Sequence, residues 1–186
     1  PYLGLKPKGR GNRMGLPCPA FDLSDMSARV FQDQLGRKLS LEHIPQRIVS
    51  VVPSQTELLF DLDLEHKIIG RTKFCIHPAA KVQKCQVVGG TKNLHLDRIC
   101  ALQPDLIVAN KEENNQSQIE ALAKEFRVWI SDIQSLSDAK DMIYQLAELT
   151  DRLAAGEAIL KEIRKKSGKW QQTRDSLPVL RVAYLI

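Results

Sequence analysis

Between Arg47 and Ile130 the chain alternates short apolar runs with amphipathic stretches. Arg47–Val52 (RIVSVV), Asp105–Ala109 (DLIVA) and Arg127–Ile130 (RVWI) are apolar almost throughout and rich in β-branched residues. That is the pattern of strands buried on both faces. Shorter runs at Lys67–Gly70 and Gln86–Val88 read as two more strands. Ser54–Leu62 places Leu58, Leu59 and Leu62 on one side of a helix. Leu96–Leu102 reads as a helix stopped ahead of Pro104, because the residue before a proline disfavours the helical conformation. Gln116–Glu125 reads as a helix with Ile119, Leu122 and Ala123 apolar, capped by Asn114 or Asn115. Ahead of this series, Phe31–Arg37 reads as a short hairpin closed by Gly36. Strands alternating with helices predict an α/β unit, a parallel sheet covered on both faces. Ligands of such sheets sit at the carboxyl ends of the strands. The polar loops there are Pro53-Ser54, Thr72–His77, Gly89–Asn93, Asn110–Asn114 and Ser131-Asp132.

The pattern then changes. Ser137–Leu177 is helical with little interruption, about 40 residues and roughly 60 Å if straight, with Gly156 and Gly168 as its weak points. After Pro178 the run Val179–Ile186 (VLRVAYLI) reads as a fresh strand with nothing following to cover it, the expected start of a truncated second lobe. At the other end, Pro1–Asp25 is rich in Gly and Pro and lacks periodicity. The expected division is therefore a disordered or non-native extension at 1–25 and an N-terminal lobe at 26–149. A linker helix at 150–177 and the start of a C-terminal lobe at 178–186 complete it. Met26 stands as a candidate natural start.

Composition narrows the function classes. Hydrophobic residues make up 43% and charged residues 26%, ordinary for a globular protein. The formal charge of +5 suggests an anionic partner at first sight. Its main cluster, Lys161, Arg164, Lys165, Lys166 and Lys169, falls on the long helix beside Glu157 and Glu162 and reads as a solvated face. Aromatics are 5%, too sparse for base-stacking platforms, so no nucleic-acid partner is expected. Of four cysteines, Cys18, Cys75, Cys85 and Cys100, no two have C-x-x-C spacing. Cys100 reads as core, and pairing of Cys75 with Cys85 stays open. Pro1–Ala20 has no apolar signal-peptide core, and Pro17 precedes Cys18 where a lipoprotein signal needs a small residue.

Several segments together resemble a known family. They are Asp33-Gln34-Leu35-Gly36-Arg37, then Pro45-Gln46-Arg47-Ile48-Val49-Ser50 and Pro53-Ser54-Gln55-Thr56-Glu57-Leu58-Leu59, then Leu96-Asp97-Arg98-Ile99 running to Pro104-Asp105-Leu106-Ile107. In this order, ahead of one long helix, they resemble the helical-backbone (cluster III) periplasmic solute-binding proteins, the vitamin B12, haem and ferric siderophore type of ABC transporters. The resemblance runs from about Phe31 to Ile186. It implies two α/β lobes joined by a long helix, with ligand held between them. It implies a non-catalytic substrate-binding component of an ABC importer for a metal chelate or corrinoid, with no cofactor, monomeric when complete, and placed in the periplasm or cell envelope. The missing signal leaves a cytoplasmic metal-chelate sensor or chaperone of the same fold as the alternative.

The candidate ligand-binding residues on the cleft loops are Pro53, Ser54, Lys73, Phe74, His77, Thr91, Lys92, Asn110, Glu112 and Asp132. By resemblance, Phe74 lies where the family places an aromatic against its ligand. The glycines of Gly89-Gly90 allow close backbone approach. Corrinoid and haem receptors line the cleft with several aromatics. Here His77, Thr91 and Lys92 stand instead, which counts against a planar macrocycle and leaves a polar metal chelate open. Ser54-Gln55-Thr56-Glu57 fits a capping box, and the resemblance gives Glu57 a second, compatible role in docking the membrane permease. Cys75 and His77 are two ligands for a borderline metal, but two do not make a site, so no metal is expected. The same pair as nucleophile and base lacks a third, orienting group, which leaves an enzyme the weaker reading. His43, His66 and His95 are assigned no role.

Overall fold

The computed structural model describes residues 28–174 together with Leu177, Pro178, Arg181 and Ala183. The expectations for 1–25, Met26 and Cys18 lie outside the described residues, as does the expected strand Val179–Ile186 apart from Arg181 and Ala183.

A hairpin of β1 (Arg29–Gln32) and β2 (Lys38–Leu41) opens the structure. Five parallel strands follow: β3 (Ile48–Ser50), β4 (Ile68–Arg71), β5 (Gln86–Val87), β6 (Leu106–Asn110) and β7 (Val128–Ser131). Their spatial order is β5-β4-β3-β6-β7. The chain builds outward from β3 through β4 to β5, then returns across the sheet to add β6 and β7. The crossovers are α1 (Pro53–Asp61), α2 (Ala79–Val82), α3 (Leu96–Leu102) and α4 (Gln116–Ala123). The expected α/β parallel sheet is the observed one.

Successive strand residues point to opposite faces, and here both faces are dry. Ile48, Val108 and Trp129 project to one side, against Leu58 and Leu59 of α1 and a later pair of helices. Val49, Ile107, Ala109, Val128 and Ile130 project to the other, against Ile99 of α3 and Ile119 and Leu122 of α4. Ile48, Val49, Ile107, Val108 and Trp129 are fully buried, each apolar side chain contributing about 1.5–3 kcal/mol by leaving water. The helices thus lie on opposite faces for the two halves of the sheet. This opens a crevice at the carboxyl ends of β3 and β6, the topological switch point.

The hairpin turn seals the outer edge at β7. Asp33 is buried and its carboxylate accepts from the backbone N–H of Leu35 (3.0 Å), Arg37 (2.9 Å) and Ile130 (3.3 Å) and from the Arg37 guanidinium (2.8 Å). Arg37 in turn donates to the Val128 carbonyl at 2.8 Å, and Gln34 N–H to the Ile130 carbonyl at 3.2 Å. The strand-edge groups of β7 are therefore occupied by the turn rather than left open to another chain.

The long helix expected over Ser137–Leu177 is instead two helices, α5 (Leu136–Leu149) and α6 (Leu153–Arg174). Ser135 caps α5, accepting from the Asp138 N–H. The break falls at Thr150–Arg152, where Asp151 adopts φ 59° and Arg152 N–H closes onto the Ala147 carbonyl at 2.6 Å. Neither Gly nor Pro marks this point. Asp tolerates the left-handed conformation better than most side chains, and tertiary packing supplies the rest. Gly156 marks close approach rather than weakness: a Cβ there would stand 2.5 Å from the Ala147 Cβ. At Gly168 nothing lies within 4 Å. From Lys161 onward α6 is largely exposed, its basic residues and Trp170 included. No described helix is long and apolar enough to cross a membrane.

Two stability tests follow from this packing. Asp33→Ala strands four donors and should cost about 2–4 kcal/mol in urea unfolding; a loss below about 1 kcal/mol would show the hairpin is not anchored this way. Gly156→Ala gains about 1 kcal/mol of helix propensity but overpacks against Ala147 at about 1–3 kcal/mol. The net should be destabilising, with Ala147→Gly restoring stability in the double variant.

Candidate functional site

The predicted cleft residues lie in sequence at or after the carboxyl ends of the five parallel strands. At the end of β3, Pro53 occupies the first position of α1, where its missing N–H costs nothing. This corrects the capping-box expectation. The N-cap is Val52, no side chain caps the helix, and Ser54 and Glu57 lie within it. Both are exposed. Proline's fixed φ starts the helix two residues earlier than a Ser54 cap would allow.

Beyond β4, Lys73 and Phe74 stand together in the open. Phe74 is 52% exposed with the Lys73 ammonium 5.0 Å from its ring centroid. Lys73 N–H donates to the Gly89 carbonyl at 2.8 Å, fastening this loop to the next. Gly89 has φ 116°, which an L side chain rarely adopts, and its Cβ would meet the Asn93 carbonyl oxygen at 2.5 Å. At Gly90 a Cβ would lie 3.3 Å from Phe74 Cε2 and 3.5 Å from Lys73 Cε. The aromatic corner is therefore packed directly on glycine backbone. Lys73, Phe74, Gly90, Lys92 and His95 line a cavity of about 470 Å³. His95, to which the sequence assigned no role, is thus at this corner.

The remaining predicted residues form the neighbouring rim. Lys92 Nζ donates to the Glu112 carbonyl. Lys111 and Asp132 pair at 2.6 Å. The hydrogen bond from Lys111, with a second from Gln134, holds the Asp132 carboxyl below its ordinary range, and Asp132 raises Lys111 in return. Lys111 is exposed and Asp132 half-buried, so solvent screens the pair and it orients the rim more than it stabilises the fold. Asn110 Oδ1 accepts from the N–H groups of Glu112 and Glu113, both at 2.9 Å, and its Nδ2 reaches Ser131 Oγ at 2.9 Å. Thr91 is half-buried beside Lys92.

Cys75 and His77 are not brought together. Cys75 is 1% exposed, its sulfur 3.1 Å from Thr56 Oγ1 and 3.2 Å from Thr72 Oγ1, while His77 faces solvent. With the Cys75 sulfur held inside by the two threonines and His77 outside, the two neither share a metal nor act as nucleophile and base. Among the described residues no group of three or more His, Cys, Asp or Glu is placed to hold a metal ion. Cys75 and Cys85 are separate free thiols; burial pushes the Cys85 thiol up. Cys100, expected in the core, is only half-buried.

Sequence reasoning missed the buried amides beneath these loops. Of the two cap candidates, Asn115 caps α4. Asn114 is 4% exposed and donates to the carbonyls of Val51 (3.1 Å) and Thr91 (3.0 Å) while accepting from Asn110 N–H at 2.8 Å. Gln118 pairs with both backbone groups of Leu94, at 3.0 and 3.1 Å. Gln55, fully buried, donates to Ser131 Oγ. The one available signal was the doublet Asn114-Asn115 itself, since one residue suffices for a cap and the other is left free for another partner.

Comparison with known proteins agrees with this architecture. A vitamin B12-binding protein of Vibrio vulnificus (strain CMCP6) is 29% identical over 148 residues, covering 78% of this chain and 54% of the relative. The siderophore-binding protein BauB, solved with two acinetobactin molecules and ferric iron, superposes with a TM-score of 0.70 at 20% identity over 81% of this chain and 55% of that one. A periplasmic haem-binding protein from Pseudomonas aeruginosa gives 0.64 at 23% identity, over 73% and 50%. The chain spans about half the length of these proteins. Residues 48–181 match the family model described as periplasmic binding protein, and the chain belongs to that family.

Proposed function

We propose that this chain forms one ligand-binding lobe of the substrate-binding component of an ABC importer. It takes up a metal chelate or corrinoid of the iron-siderophore, haem or cobalamin kind. On this reading it works in the cell envelope without catalysing a reaction, closing on its ligand and handing it to a membrane permease. The observation that carries the reading is the corner of Lys73, Phe74 and Lys92 on the Gly89-Gly90 backbone, open to a cavity of about 470 Å³ at the carboxyl edge of the sheet. An exposed ring with the Lys73 ammonium over it, and Lys92 lining the same cavity, suits a chelate carrying both a flat apolar part and anionic oxygens. Thr91, His95 and Asn110 supply neutral polar groups around it. Pro53, Ser54, Glu112, Asp132 and His77 stand further along the rim. The exposed Glu57, on the first helix, is the docking residue for a cationic group of the permease.

Thermal-shift and calorimetric titration with cyanocobalamin, haemin and a ferric carboxylate siderophore tests this. A ligand at a hundred times its Kd adds about 2.7 kcal/mol to stability, an easily read rise in Tm. Binding of an anionic chelate should weaken as salt rises from low to physiological strength, and K73A/K92A should weaken it roughly tenfold. Binding of cyanocobalamin that ignores both salt and these substitutions would remove the lysines from the site. No shift with any of the three, at concentrations that allow for the weaker hold of a single lobe, would remove the chelate reading itself.

A further inference from the structure

We propose that Asn114 is the positioning residue of the ligand platform, a single amide that fixes the loops of the carboxyl edge relative to one another. Its place in the fold is the crevice between β3 and β6, where the chain's two winding directions diverge and backbone pairing across the crevice ends with Val51 N–H on the Val108 carbonyl at 3.0 Å. The Asn114 carboxamide spans that gap. One N–H bonds the Val51 carbonyl, at the end of β3; the other bonds the Thr91 carbonyl, in the loop after β5; Oδ1 takes the Asn110 N–H, at the end of β6. From Asn110 the connection continues to Ser131, at the end of β7. Three segments are thereby joined through one buried side chain, and the Asn110 side chain carries the connection to a fourth.

The chemistry admits few substitutes. Two carbonyls need two donors and an N–H needs an acceptor, all within one planar group of this length. A carboxylate keeps the acceptor but turns negative oxygen toward two carbonyl oxygens. An apolar isostere leaves three backbone groups buried and unmatched. Because Asn114 is 4% exposed, it does not touch a ligand in this arrangement. Its effect on binding is exerted through Thr91, Lys92, Asn110 and Ser54, whose spacing it sets. That this spacing serves a ligand rests on the solute-binding reading; the coupling between loops does not.

Native-state hydrogen exchange tests the coupling without any ligand. In the unmodified chain the bonded amides of Gly90 and Asn93, in one loop, and of Asn110 and Glu112, in another, should open together, with matching protection and matching urea dependence. N114D at pH 7 should lower protection of Gly90, Asn93 and Thr56 about tenfold, roughly one net hydrogen bond, while Phe126, in the turn after α4, keeps its own. Lowering the pH should restore part of the loss, since facing carbonyls raise the new carboxyl's pKa and its protonated form donates again. Q118A, which cuts only the tie to Leu94, should loosen Leu94 and leave Asn110 unchanged.

Independent opening of the two loops in the unmodified chain would overturn the proposal, and so would an N114D loss spread evenly to Phe126 with no recovery in acid. If N114D does not fold, the urea dependence of the unmodified chain still decides. Haemin and cyanocobalamin titrations separate the two readings. If the unmodified chain takes up a probe, N114D should bind it at least about tenfold more weakly, and equal affinity counts against the positioning role. If neither probe nor a ferric siderophore binds, the solute-binding reading fails while the exchange result stands.

Discussion

Ile48 and Val49 are both fully buried, on opposite faces of one strand, and the rest of the molecule answers to that constraint. A strand dry on both sides needs helices above and below, and parallel neighbours need crossovers to supply them. The crossovers therefore run over both faces, α1 on one and α3 and α4 on the other. The strands all end at the same edge, and that edge is where the apolar demand stops. Lysines, glycines and asparagines collect there because nothing in the core excludes them.

The same constraint explains how the edge is held. Backbone pairing orders the strands and reaches past them only in places, as between Lys73 and Gly89, so elsewhere the loops depend on side chains. Short amides and hydroxyls do this work: Asn114, Asn110, Gln118, Gln55 and Ser131. Buried amides of this kind are costly when unmatched and rigid when matched. The outer side at β7 is closed by a different device, the buried Asp33 carboxylate with Arg37 across the hairpin turn. Both devices hold the loops of this edge in place.

Helix packing adds a second, independent limit. Small residues at Ala147 and Gly156 let α6 come back onto α5 almost at once after the Asp151 turn. The first turns of α6 thus belong to the core, through Leu160, and its basic remainder extends into solvent. One element does two jobs, and the division falls where its apolar residues end.

The sequence by itself determined the strands, the crossover helices, their parallel arrangement and the edge that carries the candidate site. Apolar periodicity and burial are local properties, repeated along the chain and readable residue by residue. It also offered Lys73 and Lys92 as candidates for an anionic ligand, with Phe74 beside them by resemblance to the family. Only the tertiary structure decided that Cys75 turns inward to Thr56 and Thr72 while His77 turns out. It alone decided that Pro53 displaces Ser54 as the helix start, that the long helix breaks at Asp151, and that Asn114 rather than its neighbour joins the loops. Each of these depends on a partner distant in sequence or on competition between two adjacent candidates. No periodicity records which partner a hydrogen-bonding group finally meets.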